Sequence, residues 1–118
     1  MYQVMVVDDE PMAASLIVNI IKRKYSDFEI MGTAYDGEEA LELMEEKGEP
    51  DVLITDIQMP VMNGLKLVEE TKKRYPEVIS VIVSGYQEFE YAKQAIAFGV
   101  CDYILKPIVP SEFSKLIT

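Results

Sequence analysis

Short apolar runs alternate along this chain with longer stretches in which apolar residues recur at helical spacing. Runs of this kind, bounded by polar residues, are typical of strands buried on both faces of a sheet. We predict strands at residues 4–7, 29–34, 52–55, 78–83 and 103–105. Four of these strands are followed directly by polar residues, which are Asp8, Asp9, Asp56, Ser84 and Lys106.

The stretches between the strands predict helices. Pro11 suits a helix start because a proline in the first turn loses no hydrogen bond. Asp36 can cap the second helix, with Glu39 three residues further on. The inner faces that we predict for the first four helices are Ala13, Leu16, Ile17, Ile20 and Ile21; Ala40, Leu41 and Met44; Leu67, Val68, Thr71 and Tyr75; and Phe89, Ala92, Ala95 and Ile96. A last, truncated helix begins after its cap at Ser111.

Strands that alternate with helices predict an α/β fold, in which a doubly wound, five-stranded parallel sheet carries helices on both faces. The 118 residues suit a single domain over 1–118. Ligands of such sheets bind outside the carboxyl ends of the strands. The polar residues that follow the strands are therefore the candidates for function.

Composition excludes several classes of protein. The net charge of −10 disfavours binding to nucleic acid or to anionic membranes by this domain. The chain has no histidine, so Ser–His and Cys–His nucleophile pairs and imidazole metal sites are impossible. A single cysteine, Cys101, excludes an internal disulfide and fits a cytoplasmic location. We interpret Cys101 as a small packing residue. No apolar run reaches the roughly 18 residues of a membrane span.

Three carboxylates, a hydroxyl and a lysine at one edge of a sheet suit phosphoryl transfer. Carboxylates held close together repel one another, and Mg²⁺ with its preference for oxygen ligands resolves the conflict. An aspartate can attack phosphorus to give an aspartyl phosphate. Lys106 and Ser84 can then neutralise two phosphoryl oxygens. Taken singly, each residue also has a structural explanation, such as a turn former, a helix start or a solvated charge.

Four segments together resemble the signature of receiver domains of two-component response regulators. They are Val-Val-Asp-Asp-Glu (6–10), Asp-Ile-Gln-Met-Pro followed by Asn-Gly (56–64), Ser-Gly (84–85) and Tyr-Ile-Leu-Lys-Pro (103–107). The segments occur in the family's order and extend over nearly the whole chain. The resemblance implies a flavodoxin-like fold with strand order 2-1-3-4-5 and Asp56 as the phosphoryl acceptor.

Further roles are implied by the resemblance alone. Asp9 and Asp56 are expected to bind Mg²⁺ directly with the backbone carbonyl of Gln58, while Asp8 acts mostly through water. Ser84 and Tyr103 match the family's switch pair, which changes the surface of helix four and strand five. The implied phosphoryl donor is a sensor histidine kinase. The stretches 84–86 and 89–92 resemble receivers joined to AraC-type DNA-binding domains. We therefore expect this domain to be a piece of a longer transcriptional regulator that can form a homodimer on activation.

Three other classes of protein compete with this interpretation. Phosphatases with an aspartate nucleophile usually carry a second aspartate two residues later, where this chain has Gln58. Receiver-like interaction modules that act without phosphorylation usually lose one of the five site residues, and this chain keeps all five. A flavin-binding protein would have a hydroxyl-rich phosphate loop after the first strand. The phosphorylation-independent interaction module stays as the alternative function.

Overall fold

The computed structural model describes residues 2–24, 26–56, 59, 61–84 and 102–105. For Lys24, Ser84 and residues 102–105 the description covers the backbone. Strands and helices alternate from residue 2 to residue 84, as the apolar pattern predicts. The elements are β1 (Tyr2–Val7), α1 (Pro11–Lys24), β2 (Phe28–Ala34), α2 (Gly37–Lys47), β3 (Val52–Asp56), α3 (Gly64–Arg74), β4 (Ile79–Ser84) and β5 (Asp102–Leu105).

The strands form one parallel sheet in the order β2-β1-β3-β4-β5. Val7 of β1 pairs with Thr55 of β3, so these two central strands end at the same level. The predicted α/β fold with a parallel sheet is confirmed. The fourth and last predicted helices, with Cys101 between them, lie outside the described residues.

Two hydrophobic clusters cover the two faces of the sheet, because successive residues of a strand point to opposite faces. The aliphatic cluster lies under α1 and contains Val4, Val6, Ala14, Ile17, Ile20, Ile21, Ile54, Val81 and Val83. The methionine–leucine cluster lies under α2 and α3 and contains Met5, Val7, Ala34, Ala40, Leu41, Met44, Leu53 and Leu67. Met59 and Met62, from the loop that follows β3, pack against the second cluster.

The predicted inner face of α1 is confirmed for Ile17, Ile20 and Ile21, which are buried, and wrong for Leu16. Leu16 is 49% exposed, whereas Ala14, which the prediction left out, is buried at 2% exposure. The helix is apolar around much of its circumference, so the spacing allows two overlapping stripes. Contact with the sheet selects the stripe that contains Ala14.

Capping side chains fix where α2 and α3 begin. The Asp36 carboxylate accepts a hydrogen bond from the Glu39 N–H at 2.8 Å, which confirms the predicted cap. Asn63 does the same for the Lys66 N–H at 2.9 Å, a cap that the sequence analysis missed. At the other end of α2, Gly48 adopts a φ of 95°, in the left-handed region that favours glycine. Among the described residues, no helix has the length and apolar character needed to cross a membrane.

Candidate functional site

Three aspartates meet at the carboxyl ends of the two central strands. Asp56 is the last residue of β3, and Asp8 directly follows the end of β1. The parallel pairing of Val7 with Thr55 therefore places Asp8 and Asp56 side by side. One carboxylate oxygen from each of Asp8, Asp9 and Asp56 lies within 4.8 Å of the other two. The structure thus brings together the three acidic residues that the sequence analysis selected.

The three carboxylates differ in their contact with solvent. Asp8 is completely buried and Asp56 is 5% exposed, whereas Asp9 is exposed. The site therefore has two carboxylates set into the protein and one at its open side. Asp8 Oδ1 accepts a hydrogen bond from the Glu10 N–H at 3.0 Å, which orients the carboxylate at the start of the following turn.

Backbone hydrogen bonds hold the strand ends that carry these residues. The Asp8 N–H donates to the Ala34 carbonyl at 3.1 Å, extending the contact between β1 and the end of β2. The Thr55 hydroxyl donates to the carbonyl of Asp56 at 2.9 Å. Both contacts are made by buried residues, so the carboxylates project from a rigid part of the sheet. A site on rigid elements holds its geometry better than a site built on loops.

The donor set of the site suits a hard divalent cation. Three carboxylates this close repel one another in a poorly solvated place, and a cation bound between them removes that cost. All candidate ligand atoms are carboxylate oxygens, and Mg²⁺ prefers oxygen ligands while retaining some of its waters. Because Asp9 is exposed, the ligand positions on its side of the site face solvent.

The other predicted site residues are described less fully. Ser84 ends β4, one position beyond the pairing of Asp56 with Val83, so the Ser84 backbone lies beside the acidic residues at the same edge of the sheet. Tyr103 lies on β5 and its backbone pairs with Ile82. The side chains of Ser84 and Tyr103, like Gln58 and Lys106 as a whole, lie outside the described part of the structure.

One feature of the loop after Asp56 was missed by the sequence analysis. Val61, which is 76% exposed, adopts a φ of 67°. A branched side chain is uncommon in this left-handed region. Its neighbour Met62 touches the start of α2 through a hydrogen bond from the Gly37 N–H. The sequence carries no signal for this contact, because the two residues are far apart in the chain and neither is unusual in its local pattern.

Comparisons with known proteins agree with the geometry. Residues 4–118 match the family model of the response regulator receiver domain. The receiver domain of AraT, a response regulator from Geobacillus stearothermophilus, superposes with a TM-score of 0.90 at 36% identity, covering 98% of this chain and 89% of that one.

Two curated relatives are transcriptional regulatory proteins. YesN of Bacillus subtilis, an uncharacterised protein, is 38% identical over 91% of this chain, and HptR of Staphylococcus aureus is 39% identical over 99% of it. The chain spans only 29% of the length of YesN and 45% of that of HptR. With the family model matching almost from end to end, the chain belongs to the response regulator receiver domain family, a family of signalling domains in two-component systems.

Proposed function

We propose that this domain accepts a phosphoryl group on Asp56 in a reaction that requires Mg²⁺. The observation that carries the proposal is the convergence of Asp8, Asp9 and Asp56 at the ends of adjacent parallel strands. Asp56 is 5% exposed, and its carboxylate lies within 4.8 Å of that of Asp9, which is exposed. A phosphoryl donor would therefore approach Asp56 from the side of Asp9.

Each site residue has a part in the proposed reaction. Asp9 and Asp56, with the carbonyl of Gln58, would hold Mg²⁺, which neutralises phosphoryl oxygens when bound, and Asp8 would act through a water. A carboxylate oxygen of Asp56 attacks phosphorus in line and forms the new O–P bond. The P–N bond to the donor's histidine breaks, and the histidine nitrogen keeps the electron pair. The Lys106 ammonium and the Ser84 hydroxyl would stabilise the remaining oxygens.

The proposed output of the reaction is a change of surface. A phosphoryl group on Asp56 adds charge and acceptor oxygens. Ser84, at the end of the neighbouring strand, would move toward them, and Tyr103 would rotate into the space behind it. Both conformations exist beforehand, and the phosphoryl group shifts their populations. Partners would then recognise the surface of helix four and strand five.

The wider setting of the domain is part of the same proposal. We place it in a longer, cytoplasmic regulator with a DNA-binding output domain, phosphorylated by a sensor histidine kinase and able to dimerise on activation. The support comes from the curated relatives, which are named as transcriptional regulatory proteins and of which this chain spans less than half. The net charge of −10 supports assigning DNA binding to another domain.

The test of the proposal is intact mass after incubation with acetyl phosphate and Mg²⁺. The wild-type chain should gain one phosphoryl group, and Asp56→Asn should gain none. Asp51→Asn is a matched control, because Asp51 directly precedes the same strand at the opposite end from the site. This control should gain the group as the wild type does. A wild-type chain that gains nothing would favour the phosphorylation-independent interaction module.

A further inference from the structure

The start of α2 is joined to the β3–α3 loop, residues 57–63, by a backbone contact that leaves no room for a side chain. The Gly37 N–H donates to the Met62 carbonyl at 3.1 Å. A Cβ on residue 37 would lie 2.8 Å from the Met62 carbonyl oxygen and 2.8 Å from Met62 Cγ. Real Cβ atoms essentially never approach other atoms within 3.0 Å. Any residue larger than glycine would therefore displace the loop or the helix.

This contact also completes the N-terminus of α2. The first N–H groups of a helix have no partner within the helix. Asp36 satisfies one of them through the Glu39 N–H, and the Met62 carbonyl satisfies another through Gly37. The helix start and the loop are therefore joined by a polar bond and by close packing at one point.

One residue of this loop, Val61, holds a backbone conformation that its branched side chain disfavours. Val61 adopts a φ of 67°, which crowds the branched side chain against the backbone. Such strain persists only where the surroundings determine the conformation. Around Val61 those surroundings are Met59 and Met62, which pack against the methionine–leucine cluster, and Asn63, which caps α3. The contact with Gly37 adds a fixed point next to the strained residue.

We propose that Gly37 is a positioning residue for the acidic site, which acts by holding the loop that leaves Asp56. This inference rests on the proposed function. The loop begins directly after Asp56, and its far end is fixed at Met62 and Asn63. Displacing Met62 would displace the loop that directly follows Asp56, and with it the Gln58 carbonyl of the proposed Mg²⁺ site, while the three aspartates stay on the strand ends. Loss of a group that orients a metal ligand typically costs about 10–100-fold in metal affinity.

The first test compares Gly37→Ala with Gly48→Ala. Alanine at Gly48, the other end of the same helix, meets no atom within 4 Å but is strained at a φ of 95°. Both variants should have a lower melting temperature than the wild type. Isothermal calorimetry should show that Gly37→Ala weakens Mg²⁺ binding by about ten-fold, the lower end of the loss typical when a metal ligand is no longer held in position. The Mg²⁺ affinity of Gly48→Ala should stay within about two-fold of the wild type, because the cap lies outside the loop.

A second variant tests whether the loop transmits the effect. Asparagine tolerates the left-handed region better than valine does, and Val61 is exposed, so Val61→Asn removes strain without removing packing. Added to Gly37→Ala, it should restore part of the lost Mg²⁺ affinity. Added to Gly48→Ala, it should raise the melting temperature and leave the affinity unchanged.

If Gly37→Ala does not fold, two methionine variants test whether the loop positions the Mg²⁺ site. Met62→Ala loosens the loop, whereas Met44→Ala removes a buried methionine of the same cluster from the middle of α2. Met44→Ala should be the less stable of the two, and only Met62→Ala should weaken Mg²⁺ binding. The loss should be about three-fold, smaller than for a lost orienting group, because the backbone carbonyl that Gly37 contacts is kept.

The outcomes separate this inference from the proposed function. Wild-type protein that binds no Mg²⁺ contradicts the proposed metal site itself. If the wild type binds Mg²⁺ and Gly37→Ala binds it with the same affinity, the positioning role alone is overturned. Where Gly37→Ala does not fold, an unchanged affinity in Met62→Ala has the same meaning. A higher melting temperature for Gly37→Ala would also overturn it, because helix propensity by itself favours alanine over glycine.

Discussion

The two faces of the sheet are packed with different kinds of side chain. Within the described part of the chain, the buried members of the aliphatic cluster under α1 are all valine, isoleucine or alanine, and Phe28 is the one aromatic residue that packs against them. The methionine–leucine cluster under α2 and α3 includes Met5 and Met44, and Met31, Met59 and Met62 pack against it. Branched side chains are stiff, whereas methionine has several rotatable bonds and adapts to its surroundings. The loop that leaves Asp56 rests on the adaptable side.

This difference indicates that the two faces of the sheet have different roles. The aliphatic face fixes β1, β3 and β4, and so fixes the strand ends at which the aspartates meet. The methionine–leucine face supports the β3–α3 loop, which would have to adjust when a cation or a phosphoryl group arrives at Asp56. A rigid scaffold with an adjustable loop on one side is a common arrangement for functional sites.

The largest effect that we predict is on the aliphatic face. Ile21→Ala removes a fully buried side chain and should lower the free energy of unfolding by about 3 kcal/mol, the range typical of buried isoleucine. Urea denaturation measures this loss. The same variant should keep the wild-type Mg²⁺ affinity at a temperature where it is folded. A ten-fold change in the Mg²⁺ affinity of Ile21→Ala would contradict these separate roles of the two faces.

A smaller effect should appear when Mg²⁺ binds. A ligand of the native state at ten times its Kd stabilises the fold by about 1.4 kcal/mol, and thermal melts with and without Mg²⁺ detect this gain. Asp9→Ala should abolish the gain because it removes an exposed carboxylate of the cluster. Hydrogen exchange locates the effect of Mg²⁺. Protection from exchange should increase in residues 59–63 and at the start of α2, and it should stay unchanged in α1. Asp9→Ala that retains the full stabilisation would show that the metal site is misassigned.

The smallest effect concerns conservative changes of shape. Met44→Leu and Ile21→Leu each keep the volume of a fully buried side chain. The stiff aliphatic face should tolerate a change of side-chain shape less well. Ile21→Leu should therefore lower the free energy of unfolding by about 1 kcal/mol, within the range for volume-conserving substitutions. Met44→Leu should cost less than half of that on the same measure. If urea denaturation shows that Ile21→Leu and Met44→Leu lose equal free energies of unfolding, the two faces do not differ in stiffness.

The sequence predicts the parts of the fold that depend on local pattern. The apolar runs locate the strands, and the acidic residues after β1 and β3 can be selected because the carboxyl ends of parallel strands share an edge. The sequence cannot show which stripe of α1 faces the sheet, since Ala14 and Leu16 both belong to plausible stripes. Packing decides in favour of Ala14.

The contact between Gly37 and Met62 was beyond sequence reasoning for another reason. It joins two segments that lie on different elements, and neither residue breaks its local pattern. Asn63 has a local signal, since asparagine is a favoured N-cap, but the Asn-Gly pair that it forms with Gly64 is equally typical of a loop, so the local pattern does not decide between them. Tertiary contacts of this kind become visible only once the chain is folded.

Whether Asp56 takes the phosphoryl group can be decided by locating the modified residue. An aspartyl phosphate is an acyl phosphate, which borohydride reduces to homoserine, a stable mark at that position. The chain is incubated with acetyl phosphate and Mg²⁺, reduced, digested and sequenced by mass spectrometry. Phosphorylation of Asp56 would give homoserine at residue 56, in the peptide that carries the end of β3. Homoserine at Asp8, Asp9 or Asp51 with Asp56 unmodified would contradict the proposal that Asp56 takes the phosphoryl group.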